Sequence, residues 1–398
     1  YPLRWVLMAG GVLTAAGLFC LSFTTAFWQA ILSAVLTGFG LAFCGPHSAT
    51  IIQPWFASRR GVATGVAMAG SGVGNLVLPN IIQLCISYFS TSNGSGWRIA
   101  LRLQAALALV LVLGFSWPVR KPHPQEQTEP KEQQQKQQQE QHQANKNGQT
   151  STSSVHVTKI SIFRLLQTRA FVPLFLFKFT GAFGYLVPFQ HMAIYAKDKG
   201  IDETTGALLL SIFGAGSVVG RLILGLLADR FGRVKTLQLS IFFMGWSAFA
   251  WPHLPSTSTL GVFCFIYGFN AGGFVSLPPS IIADYFGPHV PGYVFELTGF
   301  IFAADCIGSV LGPPIAGAFY DHFGDYVWAA VYTGLCLSIA SGFLCFLSKK
   351  EDHDAIIAVL LSTHPSEAPL VGSERSPKSG LEMTHSGAKG LEENKALV

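Results

Sequence analysis

Ten apolar stretches leave this chain little choice of fold; they fall at about 5–26, 28–49, 61–88, 97–117, 170–196, 205–228, 234–251, 259–284, 293–319 and 325–347. A helix needs roughly 20 apolar residues to cross the hydrocarbon core of a bilayer, and most of these stretches reach that length. In lipid every backbone N–H and C=O must find its partner inside the protein, so the stretches have to be helical. Half of the residues are hydrophobic and only 12% are charged, against roughly 25% in soluble domains. The expected fold class is an all-α polytopic membrane protein, with 234–251 the one stretch short for a span.

Residues 37–56 and 267–286 are nearly one passage written twice. Gly38/Gly268, Phe39/Phe269, Ile51/Ile281, Ile52/Ile282 and Phe56/Phe286 coincide without a gap. After a slip of a few residues the match resumes at Gly65/Gly299, Ala69/Ala303, Gly74/Gly308, Pro79/Pro313 and Ile81/Ile315. Parallel copies of a multi-helix membrane unit imply two pseudo-symmetric bundles, the plan of transporters whose halves rock about a central site. Two spans precede the repeated unit in the second half and have no counterpart in the first, so about ten helices of an expected twelve are present. The expected organisation is an N-terminal bundle over 1–118, a linker over 119–168, a six-helix C-terminal bundle over 169–348 and a tail over 349–398. Linker and tail are Gln-, Glu-, Lys- and Ser-rich, offer almost nothing to bury, and read as disordered apart from an amphipathic stretch at 354–361.

Arg4, Arg59, Arg60, Arg120, Lys121, Arg230, Arg233, Lys235, Lys349 and Lys350 fall on one side of the predicted spans. The loops 24–28, 252–258 and 320–326 carry neither Lys nor Arg. Positive charge collects inside, which puts linker and tail in the cytosol and the Asn93 sequon outside; the plasma membrane is the default home, with a vacuolar or mitochondrial one equally allowed by the physics. The formal charge of +5 comes from these flanks and implies no nucleic-acid partner. All seven cysteines lie in apolar stretches, without disulfide or zinc spacing. No nucleophile–base pair, metal cluster or nucleotide loop occurs among the spans, so neither an enzyme nor a metal or other cofactor is expected.

The strongest local string is GLLADRFGR over 225–233. A Gly-rich turn with one acid and two arginines can latch one conformation of a two-state machine, and Asp229, Arg230 and Arg233 are the candidates. This string resembles the loop signature of the major facilitator superfamily. WFASRRGVATGVAMAGSGVG over 55–74, GYLVPFQH over 184–191, LLSIFGAGSVVGR over 209–221 and GSVLGPPIAG over 308–317 resemble the monocarboxylate porter family, and the likeness covers essentially all the membrane segments. The resemblance implies a major-facilitator fold moving small organic anions such as lactate or pyruvate, usually with a proton, by alternating access. The same fold carrying another small organic solute, or acting as a membrane receptor or sensor, are the alternatives. The partners implied are the anion, a proton and the bilayer; the sequence names no accessory subunit.

Arg221 lies about two turns inside its span from Asp229, where an unpaired charge costs several kcal/mol. Its guanidinium can fork onto a carboxylate through two parallel hydrogen bonds, and the resemblance gives the arginine at this position the role of substrate binding. The alternative is a structural ion pair with Asp305. Many family members carry an aspartate four residues before this arginine; here Ser217 stands there, so any proton coupling has to use another group. Asp305, near the middle of its span and matched by Ser71 in the first copy, is the candidate proton carrier or else half of a static salt bridge. His191 and Lys178 share the span 170–196: the histidine can titrate near neutral pH or sit on the outer rim, and the lysine can bind substrate or snorkel toward the cytosol. Asn270, Gln53 and Ser276 are polar enough to line a cavity. Gly70/Gly74, Gly216/Gly220 and Gly308/Gly312 have the spacing of close helix contacts, and Pro46, Pro79, Pro188, Pro278–Pro279 and Pro313–Pro314 should bend their helices.

Overall fold

The protein is described here by a computed structural model covering residues 3–52, 56, 59–89, 96–116, 162–254 and 256–347. The Asn93 sequon, Gln53, residues 117–161 and everything after 347 lie outside the described residues. Four long helices come from the first half: α1 (Leu3–Leu21), α2 (Phe27–Thr50), α3 (Arg60–Phe89) and α4 (Gly96–Ser116). The second half supplies α5 (Ile162–Leu166), α6 (Phe171–Tyr185), α7 (Val187–Asp198), α8 (Glu203–Phe231), α9 (Arg233–Ala250), α10 (Thr257–Tyr285), α11 (Val294–Phe323) and α12 (Val327–Phe343). Among the described residues no strand occurs, and nine helical segments are long and apolar enough to cross a membrane, α6 and α7 together counting as one.

The tenth, α9, is the stretch whose sequence is short for a span. Arg233, Lys235 and several hydroxyls lower its hydropathy, but the hydroxyls are used inside the protein. Thr236 Oγ1 donates to the Gly232 carbonyl at 3.0 Å, and Ser240 Oγ donates to the Asn270 carbonyl of α10 at 2.9 Å. So satisfied, α9 packs between α10 and α12. The short α5 falls within the segment expected to be linker. Its Leu165 is fully buried, and the Thr168 hydroxyl accepts from the Phe171 amide at 3.3 Å where α6 begins.

The repeat in sequence is a repeat of helices. α3 and α11 each have 30 residues, and their ends coincide in the register that pairs Gly65 with Gly299. α2 and α10 both begin in the register that pairs Gly38 with Gly268. Within the first half α1 packs on α2 and α4; within the second, α6 packs on α11 and α12. The halves meet chiefly along α3 and α8, which run antiparallel. Glycine makes this approach possible: a methyl on Gly72 would lie 2.8 Å from Val218 Cγ2, and one on Gly225 would lie 2.7 Å from the Gly61 carbonyl oxygen. Gly216/Gly220 and Gly308/Gly312 likewise seat α8 on Phe269 of α10 and α11 on Phe183 of α6. Gly70/Gly74 is not such a surface, since a methyl on Gly70 would meet nothing within 4 Å.

The span 170–196 is broken at Leu186 into α6 and α7. Pro188 explains the break, because its ring has no N–H to give and would collide with the carbonyl of Gly184 four residues back. A carbonyl freed inside a membrane needs another donor. Tyr267 of α10 supplies it: its hydroxyl lies 3.3 Å from the Gly184 oxygen and 3.0 Å from the Tyr185 oxygen.

Candidate functional site

Two charged clusters lie along α8. At the end of the bundle carrying the arginines, Asp229 closes the seam between halves. Its Oδ1 accepts from the Gly61 amide at 3.0 Å and its Oδ2 from the Val62 amide at 3.0 Å, so the carboxylate sits on the N-terminus of α3. Helix N-termini offer free N–H groups and the positive end of the helix dipole. Gly232, at φ +103°, turns the chain from α8 into α9 in a conformation that glycine alone adopts readily. That turn folds Arg233 back onto Asp229, with Nε at 3.2 Å and one terminal nitrogen at 2.9 Å from Oδ1. Arg233 also pairs with Asp284 at the end of α10, and Arg60 of α3 reaches the same carboxylate at 3.2 Å and the Ala283 carbonyl at 2.9 Å. Arg230 stays outside this cluster, exposed, with its guanidinium 5.5 Å from the ring of Phe231.

Deeper in the bundle, Arg221 is 2% exposed. Its guanidinium crosses the seam to the Met68 carbonyl and the Ser71 hydroxyl of α3. Lys178 of α6 is 1% exposed; its ammonium lies 3.3 Å from Asp305 of α11, 3.3 Å from the Phe274 carbonyl and 3.5 Å from the centre of the Phe274 ring. Two expectations are corrected here. Asp305 pairs with Lys178 and not with Arg221, because α11 packs on α6 whereas α8 is held between α3 and α10. Lys178 does not snorkel to a surface, because carboxylate, carbonyl and ring already satisfy it where it stands. The positions matched by the repeat thus each face a buried cation: Ser71 meets Arg221, and Asp305 meets Lys178. Tyr185, at the α6–α7 break, stacks on Phe274 at 4.5 Å and lies within electrostatic reach of both Arg221 and Asp305.

Two polar atoms in this cluster, Arg221 Nε and Asp305 Oδ1, are buried without a hydrogen-bond partner among the described residues. Buried polar atoms are nearly always partnered, so a pair left over in one place is unusual. Above them, toward the end away from the arginine cluster, a cavity of about 230 Å³ is lined by Asn75, Pro79, Tyr185, Leu186, Phe189 and Leu210. It shares Pro79 and Leu210 with a larger cavity of about 480 Å³ that opens between α3, α7 and α8. Lys197, Asp202 and Glu203 stand at its mouth. Asp202 also caps α8, accepting from the Thr205 hydroxyl and amide, and these bonds hold its carboxyl below the usual carboxylate range.

The remaining predicted residues sit elsewhere. His191 is half-buried on α7, its Nε2 3.0 Å from the Pro313 carbonyl of α11 and its ring 5.9 Å from Tyr326. It lines a separate cavity with Gln190 and Asp321. Asn270 spends its amide on the Ile266 carbonyl of its own helix at 2.9 Å, and Ser276 donates to Gly272 at 2.8 Å. Sequence reasoning missed Tyr185, Tyr267 and Asp284 as site residues. Only Asp284 carried a signal, a lone acid at the end of a repeated apolar run.

The profile of the Major Facilitator Superfamily matches residues 1–302. The chain is 27% identical over 340 residues to Monocarboxylate transporter 12 of Xenopus laevis, covering 84% of this chain and 72% of that protein. It is 28% identical over 356 residues to Monocarboxylate transporter 12-B of Danio rerio, covering 86% and 72%. Among solved structures, the E. coli fucose:proton symporter FucP superposes with a TM-score of 0.60 at 15% identity, over 87% of this chain and 84% of that one. The proton:xylose symporter XylE gives 0.61 at 16% identity, over 86% and 79%. At these identities the two structures speak to fold alone.

Proposed function

The chain belongs to the Major Facilitator Superfamily, as a multi-pass membrane transporter of a small molecule, and we propose that its cargo is a small organic anion, a monocarboxylate, carried with a proton by alternating access. One observation carries this reading: the buried centre holds two cations, Arg221 and Lys178, against the single carboxylate of Asp305. An excess positive charge in a low-dielectric site is costly, and a bound monoanion offsets it. The relatives named monocarboxylate transporters support the same cargo.

Arg221 binds the carboxylate, its fork already aimed at the seam between the halves. Asp305 is the proton site: protonation removes the partner of Lys178, and the freed ammonium becomes a second ligand for the anion. Asp229 and Arg233, joined by Asp284 and Arg60, latch the arginine end shut while the cavities open at the other. By the positive-inside rule the latched end faces the cytosol, and the plasma membrane is the proposed home. His191 lines a separate cavity and Asn270 spends its amide on its own helix, so neither is assigned to gripping the anion.

The test is uptake of radiolabelled monocarboxylates into proteoliposomes under an imposed pH gradient. An inwardly directed proton gradient should accelerate uptake of the acid and leave its neutral amide unmoved. A rate indifferent to the gradient removes the proton; amide transported as readily as acid removes the anion.

A further inference from the structure

The reading above fixes where the carboxylate is held; the cavity beside it bears on the rest of the solute. Its walls are Asn75, Pro79, Tyr185, Leu186, Phe189 and Leu210, two of them aromatic and only the Asn75 amide and Tyr185 hydroxyl polar. The aromatic walls are fixed by their own neighbours. Tyr185 stacks on Phe274 at 4.5 Å with the planes 20° apart, and Phe189 is held by Phe213 at 4.5 Å and Tyr267 at 5.9 Å. Rings locked in this way can receive a ligand without losing further side-chain freedom.

The spacing decides between short and long acids. The Arg221 guanidinium reaches the Ser71 hydroxyl of α3, and Asn75, the near wall of the cavity, stands one turn further along that helix. Four residues separate Ser71 from Asn75, about 6 Å at 1.5 Å per residue. A carboxylate on the guanidinium therefore has about 6 Å to bridge before its tail enters the cavity. The methyl group of a three-carbon acid stops about half-way.

We infer that the cavity bounded by Tyr185, Phe189 and Leu210 holds an aromatic ring, so that the solute gripped by Arg221 is an aryl-substituted monocarboxylate with two or three atoms between ring and carboxyl carbon. The inference rests on the carboxylate reading of Arg221. Asn75 stands on α3 in the first half and the rings stand in the second, so such a solute touches both halves, as alternating access requires. The ring of the solute stacks against Tyr185 or meets the edge of Phe189, and a solute hydroxyl or keto group falls within reach of Asn75.

The experiment measures uptake of radiolabelled 3-phenyllactate, its amide and L-lactate by the full chain in proteoliposomes. A KM for 3-phenyllactate about ten-fold below that for L-lactate is expected, the size of effect that one well-packed aromatic contact supplies. Leu210→Phe, which fills the cavity, should raise the KM for 3-phenyllactate about ten-fold more than that for L-lactate. Should that variant not fold, the unmodified chain still decides: 3-phenyllactate should protect it from thermal unfolding at concentrations where L-lactate does not. An L-lactate KM equal to or below that of 3-phenyllactate overturns the ring site while leaving the carboxylate reading intact. Transport of the amide as readily as the acid, or of neither acid, sinks both.

Discussion

The carboxylates of the charged clusters at the two levels of α8 are satisfied to different degrees. At the arginine end every carboxylate oxygen of Asp229 and Asp284 is engaged, by backbone amides of α3 or by Arg233 and Arg60. About two turns deeper, Arg221 and Asp305 each keep a buried polar atom without a partner among the described residues. Arg60 Nε is likewise buried without a partner at the arginine end, so the contrast lies in the carboxylates: those satisfied from within hold parts together, whereas one short of a partner is open to completion by something that comes and goes. In the reading proposed above, closure belongs to the first cluster and cargo to the second.

The largest effect expected from that division is at Arg221. Arg221→Ala should lower carboxylate uptake about 100-fold or more with insertion unchanged, and Arg221→Lys should not restore it, since an ammonium lacks the two-pronged geometry. Uptake near the unmodified level in either variant would erase the distinction between the clusters.

Next comes the Lys178–Asp305 pair. Lys178→Ala leaves the part-buried Asp305 unpaired, at a cost toward the low end of about 3–5 kcal/mol, while a Lys178→Met, Asp305→Leu double variant should recover much of that stability. Thermal unfolding in detergent reads both. Equal losses in single and double variants would mean that the two groups do not depend on each other.

At the arginine end, Asp229→Asn should weaken closure by about 1.5–3 kcal/mol, the worth of hydrogen bonds to a charged group. That shifts the ratio of closed to open forms by roughly ten- to hundred-fold. Ser280 is fully buried at that seam, so a Ser280→Cys reporter should be alkylated faster when Asp229→Asn is added. An unchanged rate would make the network ornamental. The smallest effect is expected from Tyr267→Phe, which strips the donor from the Gly184 and Tyr185 carbonyls and should cost about 1–2 kcal/mol in unfolding experiments.

The sequence made some of this legible and hid the rest for identifiable reasons. Arg221, Asp229 and Arg233 stood out because charge inside or beside an apolar run is expensive and needs a purpose. Fold class was readable from the same runs, and the repeat register carried through to the ends of α3 and α11. What one chain of letters withholds is the choice among partners. Arg60 reads as one more basic flank residue until α3 and α10 are side by side. Asp305 had two cations to choose from, and the packing of α11 on α6 made the choice. Pro188 announced a break, but not that a tyrosine some eighty residues later in the chain would take up the released carbonyls.

The glycine-lined contact between α3 and α8 bears on how readily such a protein can cycle. Main chain rests on main chain there, so parting the two helices releases few long side chains, and rejoining them need not return many to single rotamers. A junction of this kind resembles a smooth bearing more than a zip: little order has to be rebuilt at each stroke. Its vulnerability is the counterpart of that ease, because one added methyl at Gly65 or Gly225 would meet backbone across the seam, with no soft neighbour to push aside, and would hold the two halves apart.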